Sequence, residues 1–150
     1  AEVMVDTIAS TLSSYDPEHS AEYRKNADAY KAEIGNASKD AANMLKNVAG
    51  QTFIATHPAY AYFADEYGLK MQVLEEDGKE ATIQHMQELI DLAKAEHITT
   101  IFYQQETETA QANAFAEEIG GSTALLFPLA ADYTENIRAM AAAIAAGVNA

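Results

Sequence analysis

The stretch Gln51-Thr-Phe-Ile-Ala-Thr-His-Pro-Ala-Tyr-Ala-Tyr-Phe-Ala-Asp-Glu-Tyr-Gly-Leu69 decides how this chain folds. Phe53 to Ala55 is a short apolar run that reads as a buried strand. His57 follows at its carboxyl end, and Pro58 suits the first turn of a helix, where a missing N–H costs nothing. In open α/β sheets, ligands sit just outside the carboxyl ends of the strands. His57 is therefore a candidate ligand or catalytic group. The alternative at this position is a histidine that caps the following helix or bonds a loop carbonyl.

Working outward from this stretch, strands and helices alternate to the end of the chain. The pattern predicts a strand over Phe53–Thr56 and a helix over Pro58–Tyr67 that is closed by Gly68. A second strand follows over Lys70–Leu74. A helix over Ala81–Glu96 carries Ile83, Met86, Leu89, Ile90 and Leu92 on its apolar side. Thr99–Tyr103 is a third strand, Thr109–Ile119 a helix ended by Gly120-Gly121, and Thr123–Phe127 a fourth strand. Asp132-Tyr-Thr-Glu135 resembles a capping box and opens a last helix reaching about Gly147. Such repeats imply an α/β fold, a four-stranded, mainly parallel sheet flanked by helices.

Toward the N-terminus the character changes. Residues 1–49 read as a long linking helical segment and residues 50–150 as an α/β lobe. Val3, Val5, Ile8 and Leu12 form a helical stripe. Asp16-Pro17 is expected to stop that helix and cap the next, with Asp16 accepting backbone N–H bonds. Tyr23, Ala27, Tyr30 and Ile34 continue the stripe. Gly35-Asn36 is expected to end or bend it before Ala41, Met44, Leu45 and Val48 resume.

Composition narrows the function. The chain has 150 residues, 49% of them hydrophobic, enough for one domain with a real core. A formal net charge of −14 argues against a nucleic-acid partner and against an anionic membrane surface. Without cysteine there are no disulfides, thiolate metal sites or cysteine nucleophiles. No apolar run crosses a bilayer and no basic-then-apolar leader is visible. Nucleophile-elbow, phosphate-loop and dinucleotide glycine patterns are missing, so the expectation is that the protein is not an enzyme.

Other polar residues weigh less. His19, His85 and His97 read as solvated surface and are not spaced as a helical metal pair. Glu75-Glu76-Asp77 before Gly78 reads as an acidic turn, although it could attract cations. Gln104, Gln105 and Glu106 follow the third strand and so share the sheet edge with His57. Glu108 belongs to the start of the next helix. Tyr60, Tyr62, Phe63 and Tyr67 read as packing with some phenols at the surface.

The run Thr56-His-Pro-Ala-Tyr-Ala-Tyr-Phe-Ala-Asp-Glu-Tyr-Gly-Leu69 resembles the signature of the TroA-like (cluster A-I) zinc- and manganese-binding solute-binding proteins of ABC importers. Leu12 to Tyr30 is similar to the long helix joining that family's two lobes. Glu76–Glu80, Ile101–Glu106 and Pro128–Asn136 follow in family order, so the likeness covers essentially the whole chain. It implies metal-ion capture, zinc before manganese, by the linking helix and C-terminal lobe of a receptor whose partner is an ABC permease. It implies a periplasmic or extracellular location, with a lipid anchor in full-length relatives. The family's N-terminal lobe, which supplies two histidine ligands, has no counterpart here, so an excised lobe or fragment is expected.

Carried over by position, the resemblance makes His57 the metal ligand of this lobe. A family aspartate at the end of the last strand falls on Phe127, which cannot bind metal. Gln104, Glu106 or Asp132 could complete the shell, although capping is the main role expected of Asp132. A chain with one such ligand should bind zinc or manganese weakly. Its uncovered lobe face could form a homodimer in which two His57 rings share a metal. The rival readings are a small α/β enzyme using His57 as acid or base, and a ligand-free interaction module docking through residues 1–49.

Overall fold

The computed structural model describes residues 1–75, 78–104 and 110–148. Four strands form one sheet in the order β2-β1-β3-β4: β1 (Thr52–Ala55), β2 (Lys70–Val73), β3 (Thr100–Tyr103) and β4 (Ser122–Leu125). Every pairing is parallel, so the expected mainly parallel sheet is wholly so. The helices are α1 (Glu2–Tyr15), α2 (Ser20–Leu45), α3 (Ala61–Glu66), α4 (Ile83–Glu96), α5 (Ala110–Glu118) and α6 (Tyr133–Val148).

Alternation along the central strands builds a core on each face. Phe53, Ala55 and Phe102 point to one side, where they meet Ala41, Leu45 and Val48 at the end of α2, Ala64 of α3 and Met140, Ala141 and Ile144 of α6. Ile54 and Ile101 point to the other, against Leu89, Ile90 and Ala93 of α4 and Phe115 of α5. Both faces are covered, which is why β1 and β3 are continuous apolar runs. Phe53 and Phe102 cross edge to face, their ring centroids 5.9 Å apart.

Several expectations are corrected. Helix α2 runs unbroken through Gly35, because Ile34, Ala37, Ala41 and Leu45 bury a continuous face while Gly35 sits on an open side. The main partners of Asp16 are side chains: its Oδ2 accepts from Tyr23 Oη at 2.7 Å and lies 2.8 Å from His19 Nδ1. A one-turn 3-10 helix over Pro17–His19 replaces the expected α-helical start. The apolar stripe of α1 forms as a helix, yet it buries only Ala9, and Val3, Ile8 and Leu12 stay exposed. Strand β4 ends at Leu125, so Phe127 lies beyond the ladder, 47% exposed, with its carbonyl accepting from Asn136 Nδ2.

Candidate metal centre

The position of His57 follows from the β1 ladder. Phe53 pairs with Met71 of β2, and Ile54 and Ala55 pair with Ile101 and Phe102 of β3. Thr56 extends the ladder by one bond, its N–H donating to the Phe102 carbonyl at 2.8 Å. His57 is still extended, with φ −134° and ψ 148°, and Pro58 then starts a 3-10 turn. Tyr60, buried in that turn, donates its hydroxyl to the Leu126 carbonyl at 3.2 Å and ties the turn to the end of β4. Proline fixes the exit angle, and the phenol pins it, so the histidine stands at the carboxyl rim of the sheet. The expected α-helix over Pro58–Tyr67 is split into this turn and α3.

The imidazole is half-exposed, with 39% of the side chain open to solvent. Its Nδ1 is shielded from water and lies 2.7 Å from Glu75 Oε1. That approach is inside ion-pair range, yet its direction falls outside an aligned hydrogen bond. It is a close electrostatic contact between the imidazole and the carboxylate. Since Nδ1 is covered, the exposure belongs to the other atoms of the side chain.

Glu75 arrives there by the same ladder logic. The β1–β2 pairing continues past the strands, with Leu74 N–H donating to the Ala55 carbonyl at 2.9 Å and Glu75 N–H to the Thr56 carbonyl at 3.2 Å. The second residue after β2 is thereby brought beside the second residue after β1. Sequence reading assigned Glu75 to an acidic turn. Gly78 has φ 75°, and the Glu75 side chain faces the histidine. The signal that could have found it is the parallel register: two adjacent strands that end level place their next side chains together.

The remaining candidates separate. Extending the β1–β3 register by two positions sets Gln104 level with His57, and Gln104 is half-buried there. Glu106, with Gln105 and Glu108, lies outside the described residues, as do Glu76 and Asp77. Asp132 Oδ1 accepts the Glu135 N–H at 3.1 Å and caps α6, as the capping-box pattern implied. His19 pairs with Asp16, and His97 ends α4 in a left-handed conformation at φ 57°. His85 is not simply solvated: its Nε2 is 2.9 Å from the Val73 carbonyl, linking α4 to the end of edge strand β2. Among the described residues, no three His, Cys, Asp or Glu side chains cluster closely enough to hold a metal ion by themselves.

The chain as a whole has known counterparts. The family described as "ZnuA: Zinc-uptake complex component A periplasmic" matches residues 1–147. The chain belongs to this family. The high-affinity zinc uptake system protein ZnuA of Brucella abortus (strain 2308) is 30% identical over 132 residues, spanning 87% of this chain and 40% of that protein. The manganese-binding lipoprotein MntA of Bacillus subtilis (strain 168) is 28% identical over 117 residues, 75% of this chain and 38% of MntA. A crystal structure of ZnuA superposes with a TM-score of 0.91 at 36% identity, over 95% of this chain and 56% of that one. The chain thus spans about half the length of the solved relative and less of the curated ones. The α/β architecture with an all-parallel four-stranded sheet is that of the ZnuA fold.

Proposed function

We propose that this chain captures a divalent transition-metal ion, zinc in preference to manganese, as part of the solute receptor of an ABC importer, with His57 as a ligand. The carrying observation is His57 at the carboxyl rim, its Nδ1 against Glu75 and the rest of the ring open. That is the arrangement of a metal-binding histidine whose other nitrogen is oriented by a carboxylate. An imidazole suits zinc better than manganese, whose harder ion favours oxygen. The names of the zinc-uptake and manganese-binding relatives support the same pair of ions in the same order. In this reading no bond is made or broken in the cargo. The protein is a metal-binding transport component, not an enzyme. It works outside the cytoplasmic membrane, as the family's periplasmic description supports, and the relatives' lipoprotein name supports a lipid anchor in full-length forms.

Residues 1–49 serve here as the backbone segment and residues 50–150 as the lobe that bears the ligand. Zinc takes about four N or O ligands at roughly 2.0–2.2 Å. One rim histidine supplies one of them, so the 150-residue chain binds zinc weakly. The test is a zinc titration of ¹⁵N-labelled protein near pH 7. Zinc is expected to move the His57 ring nitrogens before those of His19, His85 and His97, and His57→Ala to abolish the early response. A ring that zinc leaves unmoved refutes the assignment; a tight, submicromolar site dependent on His57 refutes the partial shell. Phe127 and Leu129, both exposed beyond β4, favour self-association through the rim. Light scattering along the same titration reads it.

A further inference from the structure

We propose that Glu75 is the positioning residue of this site, selecting Nε2 of His57 as the nitrogen offered to a ligand. The inference rests on the metal-capture reading for its purpose, though not for its geometry. A neutral imidazole carries one proton, on either nitrogen, and only the unprotonated nitrogen can bind a metal ion. A carboxylate is an acceptor only. Placed 2.7 Å from Nδ1, it stabilises the tautomer with the proton on Nδ1 and leaves the Nε2 lone pair free. Without that carboxylate the ring has no reason to keep its proton inward.

Three features make the placement rigid. The Glu75 N–H is bonded to the Thr56 carbonyl at 3.2 Å, so the two backbones are fixed one residue before the histidine. His85 Nε2 reaches the Val73 carbonyl at 2.9 Å and fastens α4 to the strand end just before Glu75. Gln111 of α5 accepts from the Ala81 N–H at 3.1 Å and donates to the Ala81 carbonyl at 2.9 Å, holding the far end of the connection. The carboxylate is itself mostly covered, with 21% of its side chain exposed, so water competes poorly for it. A fully exposed glutamate would lose this contact to solvent; one mostly covered and held at the end of the ladder retains it.

Two-bond ¹H–¹⁵N correlation of the 150-residue chain with its imidazoles neutral reports the tautomer directly. Wild type should show His57 with Nδ1 protonated and Nε2 bare. Glu75→Ala should return the ring toward the Nε2-protonated form. Glu75→Gln, whose side-chain oxygen still accepts, should keep the wild-type form, and a residue that merely supports the fold would not show this rescue. Half-saturation of the His57 ring shift by zinc should rise about 10- to 100-fold in Glu75→Ala. Should Glu75→Ala fail to fold, Glu75→Asp, which withdraws the carboxylate by one methylene, is scored for the same tautomer change. A wild-type ring already protonated on Nε2, or a Glu75→Ala ring with the wild-type pattern, overturns the proposal. If the tautomers behave as expected and zinc still leaves the wild-type ring unmoved, the metal reading fails and the positioning role stands.

Discussion

Substituting alanine for Gly121 should unseat β4, and the structure sets the size of the effect. Gly121 precedes β4, and the Ser122 N–H that follows it donates to the Thr99 carbonyl at 2.8 Å. A Cβ added at Gly121 would overlap the Thr99 oxygen, lie 2.7 Å from its carbonyl carbon and 3.0 Å from its Cα. All three are backbone atoms, so no rotamer change relieves them. Overpacking costs typically 1–3 kcal/mol when side chains can yield. Here the relief must come from moving β4 off β3, so about 3 kcal/mol is the expected cost. At about 2–4 °C per kcal/mol for a chain of this size, the midpoint should fall by about 6–12 °C.

Neighbouring Gly120 provides the internal comparison. It sits at φ 68°, and a Cβ there would meet nothing within 4 Å. Gly120→Ala therefore suffers only left-handed strain, about 1–2 kcal/mol, with no steric reason to open the strand. Thermal unfolding followed by circular dichroism measures both losses, and amide exchange at Ser122 separates their origins. Gly121→Ala should expose the Ser122 amide to exchange, and Gly120→Ala should leave it protected. A Gly121→Ala midpoint within about 2 °C of wild type, with Ser122 still protected, would refute the reasoning.

Two further expectations concern residues near the termini of the helices. Hydrogen bonding from Tyr23, then from His19, holds the Asp16 carboxyl below its ordinary value. A depressed carboxylate contributes stability above its unfolded value, near 3.9, and loses it as pH falls through the folded one. Tyr23→Phe should raise the Asp16 titration midpoint in a carboxyl NMR titration, and its stability deficit should shrink on acidification below about pH 4. Asp132→Ala should cost about 0.5–2 kcal/mol by removing the α6 cap. It should leave the zinc response of His57 unchanged; a weakened response would make Asp132 a ligand.

Most of the fold was legible because the period of the sequence changes where the structure does. The four-residue runs at β1 and β3 lie between helices with 3.6-residue spacing, and Gly50 and Pro58 punctuate β1 on both sides. Two of the errors are of one kind. Gly35 looked like a break because local propensity was judged without knowing that Ile34 before it and Ala37, Ala41 and Leu45 after it are all buried, on a helix that packs against α1 and α6. The end of β4 was placed two residues late because Leu126 is apolar for the interior and not for the ladder. In both cases tertiary contact overrode a local signal.

The site divides in the same way. His57 could be picked out because its chemistry, its place after a strand and the following proline are all consecutive in sequence. Glu75 could not, because what matters about it is a separation of 2.7 Å from a residue 18 positions earlier, created by the level ends of β1 and β2. Its neighbours Glu76 and Asp77 disguised it as one more charge in an acidic turn. The division bears on mechanism. In the proposed reading, the ligand atom and the group that aims it follow two adjacent strands of one sheet, so little ordering of the imidazole is left for the binding step. A pre-aimed donor of this kind raises the affinity of whatever completes the shell while conferring little affinity alone. For that reason the zinc response of this chain is expected to be specific to one ring and weak at the same time.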